Sequence, residues 1–341
     1  MGSYVGLDVA DKQTAICVID DAVEKRWEGK VRTAPELIAA TVRERAPDAV
    51  RIGLETGPLC VWLWHTLNEA GLPIIALHAR QTSAALSLQA NKTDRNDAAG
   101  LARIVRSGWY KAVAVKSLDA HKLRALLATR DQLVGMSTSL VNKIRSTLKT
   151  FGVLLGSGRG SAFETKVREA MPDDPIVRTL IESLLRLWRT VREQRQAIDS
   201  RLMAFARHDP VCRLLTTAPG VGAITAISFT TTIGDPRRFG RSADVGAYLG
   251  LTPKQYQSGD VKVIGRISRC GDTLTRKLLF EAATVVIARL KRPLSIKTWG
   301  EQIARRAGVH KARVAVARKL ATVLHQMWLK GEPFRLDLPA A

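Results

Sequence analysis

Short apolar runs and polar turns alternate through the first hundred residues. Residues 4–10 (YVGLDVA) and 13–20 (QTAICVID) predict two β-strands joined by the polar turn Asp11-Lys12. Residues 24–32, which alternate only loosely, predict a third. Pro35 then opens a helix that carries Leu37, Ile38 and Val42 on one face and has Pro47 beyond its end. Residues 51–56 predict a buried strand, 59–71 a helix ended by Gly71, and 72–79 another strand. The order βββαβαβ predicts a mixed sheet with helices on its faces.

The period then changes. From about residue 94 to 151 the pattern is helical, with Leu126, Leu133, Leu140, Ile144 and Phe151 among the apolar positions. GSGRGS at 156–161 is flexible punctuation. Val177, Ile181, Leu184, Trp188, Val191, Ile198, Leu202 and Phe205 follow a spacing of three and four, broken once by Arg195. That stripe predicts a long amphipathic helix of coiled-coil character, in an intramolecular hairpin or a dimer seam. Residues 210–330 predict a second compact, mostly helical unit with a polar loop at Gln257–Asp260. The expected divisions are an α/β domain over 1–105, a helical linker over 106–208 and a mainly α-helical domain over 209–341.

Composition excludes several classes. The chain has 341 residues, enough for two domains, and its 46% hydrophobic residues rule out disorder throughout. No apolar run reaches the roughly 18–20 residues of a membrane helix, and the N-terminal segment lacks the pattern of a signal peptide, so a cytoplasmic protein with no membrane partner is expected. Cys17, Cys60, Cys212 and Cys270 are scattered without a CxxC pair and read as reduced thiols. The six histidines form no HxH or HxxxH pair.

Charge adds a partner. The formal net charge is +22, but residues 1–60 carry a net of −2 while 100–150 carry +8 and 262–319 carry +12. A basic excess so placed predicts contact with a polyanion, and without an amphipathic anchor nucleic acid leads over membrane.

The acidic N-terminal part holds the candidate chemistry. Asp8 lies in the first strand, Glu55 ends the fourth, and Asp94 and Asp97 lie where the chain enters a helix that Thr93 or Asp94 could cap. Each acid alone is equally at home as a cap, a strand-end residue or a salt-bridge partner, with Lys92 or Arg95 available to Asp94. Adjacent strands and one helix start could gather all four. Carboxylates so gathered raise one another's pKa unless a divalent cation lies between them, and hard oxygen donors select Mg²⁺ or Mn²⁺. Two such ions, roughly 3.5–4 Å apart, can hold both oxygens of a phosphoryl displacement.

In the second half, Pro219-Gly220-Val221-Gly222 lies between helical segments. Gly220 and Gly222 there suit either backbone contact with a phosphate or an ordinary tight turn. Ser258-Gly259 lies among Lys254, Lys262, Arg266 and Arg269, with Arg276 further on. By composition Ser258 is a turn residue as readily as a nucleophile, since no histidine base is near in sequence, and Tyr256 is a competing hydroxyl.

Three motifs resemble a known family: GLDVADKQ at 6–13, LETG at 54–57 and NKTDRNDA at 91–98. Together with GLTP at 250–253, the Tyr256–Gly259 run and the pattern through Gly265, Ser268, Gly271, Arg276 and Leu279, they resemble the DEDD transposases of insertion sequences, the Piv/MooV-like group. The resemblance implies a RuvC-like, ribonuclease H-type first domain, whose folds share the order βββαβαβ. It gives Asp8, Glu55, Asp94 and Asp97 the four acidic positions and Ser258 the place of a serine that forms a 5′-phosphoserine link to DNA. It also implies donor and target DNA, a structured bridge RNA, and a homodimer or homotetramer in the synaptic complex within the nucleoid.

Three other readings remain open from the residues alone. A junction-resolving endonuclease would use metal-activated water and leave no protein–DNA adduct. A non-enzymatic nucleic-acid binder would be indifferent to Mg²⁺. An ATPase of a ribonuclease H-like fold would need a further Gly-rich phosphate loop, which the sequence does not offer.

Overall fold

In the computed structural model, residues 2–87, 91–158 and 160–335 are described, and they divide into two units, Met1–Leu118 and Asp119–Ala341. The first unit opens with three antiparallel strands, β1 (Ser3–Val9), β2 (Gln13–Ile19) and β3 (Lys25–Arg32). Helix α1 (Pro35–Arg45) leads to β4 (Ala49–Glu55), and α2 (Cys60–Glu69) leads to β5 (Ile74–Leu77). Strands β4 and β5 add in parallel, giving the sheet order β3-β2-β1-β4-β5. The element order is the expected one.

Alternation along the central strands decides what each face carries. Val5 and Leu7 of β1 and Ile52 and Leu54 of β4 point to one face, where they pack with Ile38 and Val42 of α1 and Leu63 and Leu67 of α2. The intervening residues point to the other face. There lies α4 (Asp94–Ser107), which follows a short α3 (Ala79–Leu86) that the hydropathy pattern did not predict.

The expected continuous helical pattern from 94 to 151 is interrupted. Gly108, with φ of +72°, ends α4 in the left-handed conformation that glycine adopts without strain. The chain then runs extended along β5, where Val113 N–H donates to the Ala76 carbonyl. This covers an edge that would otherwise present unpaired backbone groups.

The second unit begins with two long helices, α5 (Leu118–Thr150) and α7 (Pro175–His208), separated by the short α6 (Ser161–Glu169). Their apolar positions divide between two cores rather than one unbroken seam. Ile144 and Leu148 of α5 join Phe163, Val177, Ile181 and Trp188 in a small cluster. Leu127, Leu202 and Ala206 instead enter the main core of the unit.

That core is built by α8 (Pro210–Leu215), α9 (Ala223–Ile233), α10 (Asp244–Tyr248), α11 (Thr273–Ala288), α12 (Ser295–Ala307) and α13 (Val309–Lys330). Inside it, the buried hydroxyls of Ser228, Thr232 and Thr275 bond one another at 2.8 Å. Asp272 caps α11 through Thr275 N–H and accepts from Arg124 of α5 at 2.6 Å.

The expected polar loop at Gln257–Asp260 is the tip of a hairpin, β6 (Pro253–Ser258) paired with β7 (Val261–Ile267). Gly259 at the first turn position has φ of +55°, as a two-residue hairpin turn of type II′ requires. Almost every residue of the two strands is exposed.

Candidate active site

Two Gly-x-acid triplets, Gly6-Leu7-Asp8 and Gly53-Leu54-Glu55, lie on the neighbouring parallel strands β1 and β4, with Gly6 opposite Gly53 and Leu7 opposite Leu54. Alternation sends the two leucines to the α1/α2 face. The glycines and both acids therefore share the α4 face.

The glycines let the helix approach. A Cβ on Gly6 would stand 2.0 Å from the Ala98 carbonyl oxygen and 2.5 Å from Ala102 N, and one on Gly53 would meet Val105 at 2.6 Å. Because α4 rests on this floor, its first turn arrives beside the strand-end acids. Thr93 is the cap, its hydroxyl accepting from Asn96 N–H, which leaves Asp94 and Asp97 free of capping duty.

The electrostatics record the convergence. The Asp8 carboxyl is pushed up to about 6 by burial and by the charges of Asp97, Asp94 and Glu55, against a smaller opposing effect of Lys92. Asp94 differs: Lys30 of β3 donates to its carboxylate at 2.7 Å and holds it below the ordinary carboxylate value. Arg95 contacts Glu28 of β3 instead of Asp94. Lys30 thus fills the place that local sequence suggested for Lys92 or Arg95.

A hard divalent cation suits this donor set, because a +2 charge beside Asp8 offsets the neighbouring negative charges that raise its carboxyl. Among the described residues, no three acidic, histidine or cysteine side chains stand in a ligating arrangement. Asp8, Glu55, Asp94 and Asp97 carry oxygen donors of the kind such a cation takes, and the Asp94 carboxylate also accepts from Lys30.

In the second unit, Ser258 is exposed at the end of β6, opposite Val261. Tyr256 and Lys254 precede it at steps of two on the same strand, and Tyr256 is 68% exposed. Lys262 pairs with Gln257 and so lies on the opposite face from Ser258. Arg266 lies further along β7, and Arg269 follows the strand with φ of +54°.

Arg276 is spent elsewhere. Its guanidinium reaches the carbonyls of Leu249 and Cys270 at 3.1 and 3.4 Å, bracing the chain at the foot of the hairpin. Gly250 and Gly271 make that packing possible, since a Cβ on either would stand 2.1 Å from a backbone oxygen.

Of the other glycines, Gly220 has φ of +77° and a Cβ there would meet the Ala282 carbonyl oxygen at 2.5 Å, so it serves helix packing. Gly222 caps α9 and has open space around it. Cys17, Cys60 and Cys212 are buried free thiols, with Cys212 pushed up to about 12 chiefly by burial. No helix of the described residues is long and apolar enough to cross a membrane.

Comparison with known proteins identifies the family. Residues 5–152 match a transposase family, the DEDD transposases of IS110 type, and residues 212–299 match the family described as the transposase IS116/IS110/IS902 family. A transposase for insertion sequence element IS1111A from Coxiella burnetii is 27% identical over 339 residues, 97% of this chain and 91% of its own. A transposase for insertion sequence element IS1328 from Yersinia enterocolitica is 27% identical over 295 residues, 82% of this chain and 87% of its own. Among solved structures, Thermus thermophilus RuvC in complex with a Holliday junction substrate matches 33% of this chain and 100% of its own at 19% identity, with a TM-score of 0.24, too slight a likeness to argue from. Two transposase matches in the two halves of the chain, and relatives aligned along most of its length, establish that it belongs to the IS110-type insertion-sequence transposases.

Proposed function

We propose that this transposase cuts and exchanges strands of donor and target DNA, using Asp8, Glu55, Asp94 and Asp97 to hold a divalent cation and Ser258 as the nucleophile. The observation that carries the reading is the raised Asp8 carboxyl, whose causes are burial and the three other acids. Acids so placed are costly without a counter-charge, and a functional site is where such a cost is tolerated.

Mg²⁺ or Mn²⁺ in that cluster would supply Lewis acidity toward a scissile phosphate. The chain's own part is to present carboxylate oxygens from two strand ends and one helix turn. Lys30 keeps Asp94 ionised, and Gly6 and Gly53 keep the helix close.

At the second centre, the Ser258 hydroxyl loses its proton and its Oγ bonds to phosphorus. The bond from phosphorus to the 3′-oxygen breaks, that oxygen takes up a proton, and a 5′-phosphoserine remains. Lys254 lies on the same strand, and Arg266 and Arg269 follow nearby in the chain as cations for the phosphate charge, while Lys262 lies on the other face of the hairpin. The family resemblance adds a bridge RNA that pairs with both DNA partners and a dimer or tetramer that holds them. It also supports a nuclease domain over 1–105, a helical linker over 106–208 and a transposase domain over 209–341.

Two measurements test the reading. Asp8→Asn, Glu55→Gln, Asp94→Asn and Asp97→Asn should each abolish cleavage in Mg²⁺ while far-UV circular dichroism is unchanged; near-normal cleavage in two of them removes the shared cluster. Trapping cleaved DNA under denaturing conditions and mapping the modified peptide should place the adduct on Ser258. An adduct on Tyr256, or cleavage with no adduct, rejects the serine mechanism.

A further inference from the structure

The helical arm of the second unit contains a cavity of about 890 Å³ at the level where α5 and α7 flank the glycine-rich segment before α6. Arg145 of α5 and Arg192 and Arg195 of α7 line it, with no acidic side chain in the lining. Phe163 and Trp188 form its floor together with apolar side chains that include Val141 and Leu155. Each aromatic ring carries a guanidinium: Arg192 lies 4.6 Å over Trp188 and Arg145 lies 5.5 Å over Phe163.

The polar groups here lack partners that their neighbours possess. Arg168 bonds Glu164 and Glu182, and Arg130 bonds Asp199 at 2.5 Å. Among the described residues, Arg145 and Arg192 have no carboxylate partner and the buried Nε of Arg145 has no hydrogen-bond acceptor, whereas Arg195 Nε lies 3.7 Å from the Asp199 carboxylate. Trp188 is 2% exposed, yet its indole N–H also finds no acceptor. Unsatisfied donors of this kind are costly in a folded interior and call for an acceptor from outside.

We propose that this cavity binds an unpaired nucleotide of a nucleic-acid strand. Its phosphate would lie on the guanidiniums of Arg145, Arg192 and Arg195, and its base or sugar against the apolar wall. The chemistry of the lining selects this ligand. Guanidiniums stacked on rings keep their N–H edges free for phosphate oxygens, and Arg145 and Arg192, which have no carboxylate partner, call for an anion. The volume exceeds the need of a bare ion and matches that of pockets that take a nucleotide-sized ligand. A recessed site is out of reach of a stacked, paired base, so the nucleotide must be unpaired. Gly156 and Gly158 on the rim admit close approach of the strand.

The proposal rests on nucleic acid being the partner of this transposase. The test uses the full-length protein and measures fluorescence anisotropy with a labelled single-stranded DNA, the same sequence as RNA, and a blunt duplex, each over a range of salt. The paired substitution Arg145→Gln with Arg192→Gln should weaken single-strand binding about tenfold and reduce the slope of log affinity against log salt by about one, leaving duplex binding within twofold. Arg192→Lys keeps the charge and loses the planar fork. It should weaken single-strand binding about threefold at unchanged melting temperature, which keeps the test valid if the paired variant folds poorly. A larger loss for RNA than DNA, or the reverse, supports the pocket and identifies the strand that supplies the nucleotide. Single-strand binding unchanged in all variants, or equal losses for single strand and duplex, overturns it. Absence of any oligonucleotide binding by the unsubstituted protein would instead reject nucleic acid as the partner.

Discussion

Removing the Asp8 charge should make the metal-free protein more stable. In the folded chain the Asp8 carboxyl titrates at about 6 against an ordinary value of 3.8, so the folded state holds a proton that the unfolded chain has released between those values. Any stability Asp8 contributes is complete below 3.8 and is lost as pH rises through 6; above that the charge is a net cost. At about 1.4 kcal/mol per pH unit the full displacement corresponds to about 3 kcal/mol. Asp8 is only half-buried, and solvent screening reduces that to about 1.5 kcal/mol. Asp8→Asn removes the charge and keeps the shape. In a chelating buffer at pH 7.5, the transition of the first unit should therefore rise by about 5 °C, and at pH 4 the two proteins should melt together. Adding Mg²⁺ at pH 7.5 should raise the unsubstituted protein and leave Asp8→Asn in place. Differential scanning calorimetry of the full chain resolves the comparison. If Asp8→Asn melts at or below the unsubstituted protein at pH 7.5 without metal, the four acids do not repel as their placement demands.

Other expectations follow from the same floor and its surroundings. Gly6→Ala should destabilise the first unit by about 3 kcal/mol in urea denaturation, because its methyl group would overlap α4 backbone rather than a movable side chain. A loss under 1 kcal/mol would mean that α4 is free to lift. Lys30→Gln should raise Mg²⁺ affinity several-fold in isothermal titration calorimetry by releasing Asp94 from its ion pair, whereas weaker binding would make Lys30 part of the binding arrangement. DNA affinity should fall steeply with salt, with about 6–10 phosphates' worth of counterions released by a chain of net charge +22, and a flat plot would exclude the basic segments as the interface.

Much of the first unit is legible in the sequence because its strands alternate or run apolar and its helices begin and end at Pro and Gly. The four acids are legible too, as residues of the right type near strand ends. What brings them together is less so. Gly6 and Gly53 act through the absence of a side chain, and their register across β1 and β4 is a property of two distant segments. Lys30 is likewise remote from Asp94 in sequence and adjacent only across the sheet. The β6–β7 hairpin escapes a hydropathy reading because neither of its faces is buried, so its alternation of Tyr256, Ser258, Val261 and Val263 reads as a polar loop. The arginine cavity left one trace: Arg195 interrupts the apolar stripe of α7, and that interruption lies in the cavity wall. Nothing local marked Arg145 or Arg192, whose lack of carboxylate partners appears only when the helices are packed.

The hairpin that carries Ser258 is, in mechanical terms, a cantilever. Its foot is clamped: Arg276 grips the carbonyls on both sides, Gly250 and Gly271 let the two backbones touch, and α11 is fixed in rotation by hydroxyls that bond only in one register. Its free length has almost nothing beneath it. Bending of such a beam is concentrated along the strands, while the root transmits load directly into α11 and the core of the second unit. A ligand that grips the tip therefore sets the position of Ser258 by deflecting the strands, and any force beyond that limit is felt by the whole helical unit at once.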